Sequence, residues 1–185
     1  YIFYAIGEFS PHDWFNEGYG DYFSGAVVHS NTGRVRHINP SPWRIDRAKR
    51  MASEGKGWLP LEKILKAERA QFYNRSRIGD YYAGAWAFVY FLKHSKEAAA
   101  NERWSKILDT YFEAVQDAYG EQIAKFGERP TLANKQVAGF EARKEALQAT
   151  LAGVDIEELE RVWRAWILEI PQKLSLIHIS EPTRR

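Results

Sequence analysis

Within SPHDWFNEGYGDYF, residues 10–23, Glu17 and Asp21 stand four positions apart. On a helix that spacing puts both carboxylates on one face. Gly18 and Gly20 lie beside them, although glycine inside a helix costs about 1 kcal/mol relative to alanine. Losing side chains there lets another element, or a ligand, approach the backbone closely. A carboxylate on a rigid helix suits a metal ligand. An acid one turn on could accept the N–H of a histidine ligand and so fix its tautomer. Solvated helix faces also carry such pairs commonly, so spacing alone leaves both readings open.

Other chemistry-bearing residues are sparse. The chain has no cysteine, which excludes disulfides and thiolate metal sites. None of His12, His29, His37 and His94 belongs to an H-x-x-x-H pair, and H-E-x-x-H occurs nowhere. His12, five residues before Glu17, is poorly placed to share a metal with it. The polar neighbours of these histidines predict surface or loop positions. The stretch Arg34 to Arg50 holds six Lys or Arg against one acid, with Trp43 inside. Arginine and an aromatic can grip phosphate and base together, but a solvated loop with an ordinary helix start is the expectation. A net charge of +2 over 185 residues is too small to dictate a nucleic-acid partner, and none is expected. No apolar run reaches the length of about eighteen residues that a membrane span needs.

The elements that must hold these residues read as mainly α. Ser10 as N-cap, Pro11 at the first position and Asp13 predict a helix start. Its face runs through Phe15, Tyr19, Tyr22, Phe23, Ala26 and Val27, with Asn31 to Gly33 ending it. Ser41 and Pro42 predict a short helix that stops at Gly55, and another follows Pro60. Asp80 to His94 is apolar almost all round, as in a helix buried inside a bundle. Helices are further predicted over Glu102 to Tyr119, stopped by Gly120, over Thr131 to Leu151, and after Asp155, where Asp155 and Glu158 form a capping box. Strand is considered only within Tyr1 to Phe9 or Ala26 to Ile38. At 185 residues, 45% of them hydrophobic, the chain can bury a substantial core as one domain or part of one.

Trp14-Phe15-Asn16-Glu17-Gly18, followed by an aromatic, a small residue, an acid and Tyr22, resembles the W-x-x-E-G-x-A-x-Y segment of gluzincin zinc metallopeptidases. It is most similar to their uncharacterised bacterial peptidase-MA-like group. Leu59 to Leu65 resembles that group's L-P-L-x-x-L segment, Tyr82-Ala83-Gly84-Ala85-Trp86 its Y-A-x-x-W helix, and Glu157 to Ile170 its closing helix. The resemblance implies that Glu17 is the third zinc ligand and that Asp21 orients a histidine ligand. It also implies that Tyr82, or Tyr81 in the alternative register set by Gly84, donates a hydrogen bond to the oxyanion of the tetrahedral intermediate. The two histidines and the general-base glutamate would come from an upstream H-E-x-x-H helix, expected just before Tyr1. The fold expectation is therefore the helical C-terminal lobe of a gluzincin-type metallopeptidase, with that helix and any sheet missing. Zinc is the implied cofactor, a peptide or protein the implied substrate, and export a weaker implication. On its own, this 185-residue fragment would be inactive. A degenerate, non-catalytic helical interaction domain is the alternative.

Gly20 stands where alanine is usual in this segment, and the position of Asp21 varies among these families. At the other end, LSLIHISEPTRR departs in character from everything before it and resembles a sequencing-library adapter translated in frame. The expected division is a helical domain over 1–173 and a non-native tail over 174–185.

Overall fold

The computed structural model describes residues 9–54 and 57–171. The adapter-like tail lies outside these, as does the possible strand over Tyr1 to Phe9 except for Phe9 itself, which sits in a bend.

Helix α1 spans Asp13–Ser24. It starts two residues later than Ser10 and Pro11 predict, because a tertiary contact takes over the capping. The His12 backbone N–H donates to the Tyr111 hydroxyl at 2.9 Å, and the His12 carbonyl accepts from the N–H groups of Phe15 and Asn16. Asp13, first in the helix, complements the positive end of its dipole. The apolar spacing predicts a helix continuing through Val27, but α1 stops at Ser24. The next residues form a hairpin, β1 (Ala26–Val28) antiparallel to β2 (Val35–Ile38). Gly25 makes the switch: its carbonyl accepts from Asn39 N–H at 2.8 Å, and Asn39 backbone occupies the space a Cβ would need. The turn closes on Gly33 at φ +66°, a conformation glycine adopts without steric cost. β-Branched Val27, Val28 and Val35 favour the extended state.

Helix α2 (Pro42–Glu54) begins at the proline, as expected, and buries Ile45, Ala48, Met51 and Ala52. Short helices α3 (Leu61–Leu65) and α4 (Arg69–Phe72) follow. A reciprocal cap between Glu68 and Gln71 starts α4. Helix α5 (Ile78–His94) is buried continuously from Ala83 to Val89 and packs against α1 and α2 as the central helix. Next come α6 (Lys96–Ala100), a 3-10 turn over Trp104–Lys106, and α7 (Ile107–Ala124). Gly120 does not end α7. It faces open space within the helix, and the chain breaks instead around Gly127, at φ +75°. Helix α8 (Leu132–Leu151) starts on the Thr131–Asn134 capping box and packs along α7. Helix α9 (Ile156–Glu169) starts on Asp155, whose side chain accepts from Glu158 N–H at 3.0 Å. The Glu158 carboxylate pairs with Arg161 at 2.7 Å instead of closing the expected box.

The core is aromatic. Trp14, Phe72, Trp86, Phe88, Tyr111 and Trp163 are fully buried and tie α1, α4, α5, α7 and α9 together. The molecule is mainly helical, and among the described residues its only sheet is the two-stranded hairpin. No helix of the described residues is long and apolar enough to cross a membrane.

Candidate functional site on helix α1

The two glycines beside Glu17 do different things. A Cβ on Gly18 would lie 2.9 Å from the Ala85 carbonyl oxygen and 2.9 Å from Val89 Cγ2, whereas one on Gly20 would meet nothing within 4 Å. Gly18 therefore lets α1 press onto α5, and Gly20 faces outward. That packing fixes Glu17 over the start of α5.

Three carboxylates run along α1 at intervals of four: Asp13, Glu17 and Asp21. Arg69 pairs with Asp13 at 3.6 Å, and Arg44 Nε pairs with Asp21 Oδ2 at 2.7 Å. Among the described residues Glu17 has no cationic partner. Tyr73 donates its hydroxyl hydrogen to Glu17 Oε1 at 2.8 Å, and the Asn16 amide donates to the same oxygen at 3.1 Å. The Tyr82 hydroxyl faces the same carboxylate, close enough to Glu17 and Tyr73 for both to act on its ionisation. The flanking arginines lie over the two phenols. Arg69 sits 4.7 Å from the ring centre of Tyr73, and Arg44 sits 4.9 Å from that of Tyr82.

Electrostatics follow from this arrangement. Burial raises the Asp13 carboxyl above the usual range against the pull of Arg69, and burial does the same to Asp21 against the bond and charge of Arg44. Burial, then the Glu17 carboxylate, push the Tyr73 and Tyr82 phenols upward. Both phenols accordingly keep their protons at neutral pH and remain donors.

The structure thus brings Glu17, Asp21 and Tyr82 to one place, although 65 residues separate Glu17 from Tyr82. Tyr81, the alternative register, turns elsewhere. It lines a separate cavity with Glu62, Lys63, Lys66 and Gln71. Asp21 is engaged through Oδ2 by Arg44.

His12 corrects the expectation of a surface histidine. It is buried, and its Nδ1 lies in hydrogen-bond contact with the Tyr111 hydroxyl at 2.8 Å. His29, His37 and His94 are exposed as expected, with His94 Nε2 3.1 Å from the Tyr22 hydroxyl.

Sequence spacing does not single out Tyr73, Arg44 or Arg69. Arg44 sits in the basic stretch beside Trp43, and that stretch is its one signal. Tyr73, just after the four-residue α4, offers none.

Glu17 has the donor chemistry of a single hard metal ligand, acceptor-only and held in place by donors on one oxygen. Among the described residues no group of three or more His, Cys, Asp or Glu could hold a metal ion. Glu17 could therefore supply one ligand of a metal site but not the whole of it. Comparison with protein-family models, with curated proteins and with solved structures finds no match.

Proposed function

We propose that this chain is part of a zinc-dependent metallopeptidase of the gluzincin type, with Glu17 as the third metal ligand. The observation that carries the reading is the contrast along α1. Its outer two carboxylates are each paired with an arginine, while the middle one is left uncompensated and held by the Tyr73 phenol and the Asn16 amide. A buried or half-buried carboxylate without a cation is costly, and a metal ion would supply the missing charge. Two histidines and a general-base glutamate are assigned to an H-E-x-x-H segment of the parent protein, outside this chain. Zinc, when bound, would polarise the scissile carbonyl and acidify its water.

This chain's residues have distinct parts in that reading. Tyr73 and Asn16 fix the Glu17 carboxylate through Oε1. Tyr82 keeps its proton at working pH and would donate to the oxyanion, without carrying charge itself. Asp21 spends Oδ2 on Arg44, and Oδ1 is the oxygen assigned to a histidine N–H.

The test is a longer chain that includes the coding sequence preceding Tyr1. It should contain H-E-x-x-H, carry about one zinc per chain, and lose it in Glu17→Gln. In Tyr82→Phe the metal should stay while peptide hydrolysis falls about 10²–10³-fold, the effect of removing one oxyanion donor. Unchanged zinc in Glu17→Gln overturns the ligand assignment. A preceding sequence without H-E-x-x-H overturns the catalytic reading and leaves a helical interaction domain.

A further inference from the structure

At Gly25 helix α1 gives way to the β1–β2 hairpin, and one face of that hairpin is uncovered. Val28 and Val35 lie opposite each other across the ladder and are 55% and 52% exposed. Trp43, at the start of α2, is 68% exposed. Exposed aliphatics and an aromatic gathered within one short segment mark an interaction site more often than a lone apolar residue does.

The backbone is also short of partners. The sheet has two strands among the described residues, and β2 is exposed from Val35 to His37. The register steps from Val27↔His37 to Val28↔Val35. Arg36 is therefore the extra residue of a bulge, with no residue opposite it on β1. An exposed strand edge offers N–H and C=O groups that another extended chain can bond.

Charge says which chain. From Tyr22 to Ile45 there is no acidic residue. Arg34 and Arg36 have no ionic partner among the described residues, whereas Arg44 is committed to Asp21. We infer that the hairpin is a docking strand for an extended peptide in which acidic side chains alternate with aliphatic ones. The peptide adds along the edge of β2. Its carboxylates meet Arg34 and Arg36, and its aliphatic side chains pack beside Val35 and extend the apolar face that Val35 shares with Val28. This is β-strand addition, where main-chain bonds give affinity and side chains give selectivity.

Two other occupants fit less well. A second copy pairing through β2 would set Arg34 and Arg36 against the same arginines, and like charges across a ladder are destabilising. A nucleic acid would meet only two uncommitted arginines on this hairpin, and it gains nothing from exposed valines or from a strand edge. The inference is independent of whether Glu17 binds a metal, because it uses none of the same residues.

The experiment uses the full chain and fluorescence anisotropy of a labelled peptide of about ten residues alternating Glu and Val. The controls are a Lys–Val peptide and a single-stranded RNA of similar length. Saturable binding of the Glu–Val peptide, at least about tenfold tighter than the Lys–Val peptide and weakened by salt, is expected. Arg34→Glu combined with Arg36→Glu should abolish it. Val35→Lys, on the exposed face, should weaken it about tenfold with the helical circular dichroism unchanged. Equal binding of the two peptides, tighter binding of the RNA, or a chain that dimerises and excludes the peptide each overturns the proposal.

Discussion

Gly18 and Gly20 sit two residues apart on the same helix, yet alanine at each should move stability in opposite directions. At Gly18 the added carbon would lie 2.9 Å from the Ala85 carbonyl oxygen and 3.2 Å from its carbon. Ordinary contact begins at 3.4 Å, so α1 and α5 would have to part by several tenths of an ångström. Val89 can turn a methyl aside, but the Ala85 carbonyl belongs to the backbone of the central helix. Overpacking against a rigid neighbour costs about 3 kcal/mol at the upper end of the usual range. Alanine regains about 1 kcal/mol in helix propensity, which leaves a net loss of about 2 kcal/mol. At Gly20 nothing opposes the new carbon, and only the propensity gain of about 0.5–1 kcal/mol remains. Urea unfolding followed by tryptophan fluorescence reads both variants. In a chain of this size the melting temperature should drop by about 4–8 °C for Gly18→Ala and rise by about 1–4 °C for Gly20→Ala. A Gly18→Ala chain as stable as the parent would refute the backbone-contact argument.

His12 has its pKa pushed down to about 3, by burial first and by the Arg143 charge second. The unfolded histidine protonates near 6.5, so the folded state binds fewer protons between these values. His12 then lowers stability as pH falls from about 6.5 toward 3, by at most about 5 kcal/mol. NMR should find its ring neutral at pH 5, with a shallower acid loss in His12→Gln; a charged ring at that pH would count against the assignment. Tyr111→Phe leaves the His12 N–H and Nδ1 buried without partners, and a loss of about 2–3 kcal/mol in urea unfolding is expected. Glu160 accepts from Trp58 Nε1 at 2.6 Å and from Leu61 N–H at 2.7 Å. Glu160→Ala should cost about 1–3 kcal/mol and shift the Trp58 emission. In Glu17→Gln, the late phase of an alkaline titration of tyrosinate absorbance should move to lower pH, because Tyr73 and Tyr82 lose the carboxylate that opposes their ionisation; an unchanged late phase would contradict the Tyr73–Glu17 bond.

Local signals predict helices well where the chain's own caps decide the outcome. Pro42, Thr131 and Asp155 each start the helix expected of them. They fail where a distant group intervenes. Tyr111, nearly a hundred residues away in sequence, takes the His12 N–H and delays α1. Ala26 and Val27 match helical spacing but pair with Ile38 and His37 instead, because β-branched residues meet a partner strand once Gly25 turns the chain. Gly120 looks like a stop but lacks the left-handed backbone that makes one; Gly127 has it. At the site, Glu17 and Asp21 can be picked out because helical spacing is local. Tyr73 and the stacked arginines cannot, since only the packing of α2 and α4 around α1 brings them there.

The ion pairs at the two ends of α1 differ in firmness. Arg44 is 16% exposed and meets Asp21 at 2.7 Å, while Arg69 is 73% exposed and meets Asp13 at 3.6 Å. Dissolved ions screen the exposed pair far more than the sheltered one. Rising ionic strength should therefore loosen the stripe from its first turn and leave its last turn clamped. Glu17 lies between a soft end and a hard one, so added salt should change the surroundings of Asp13 well before those of Asp21.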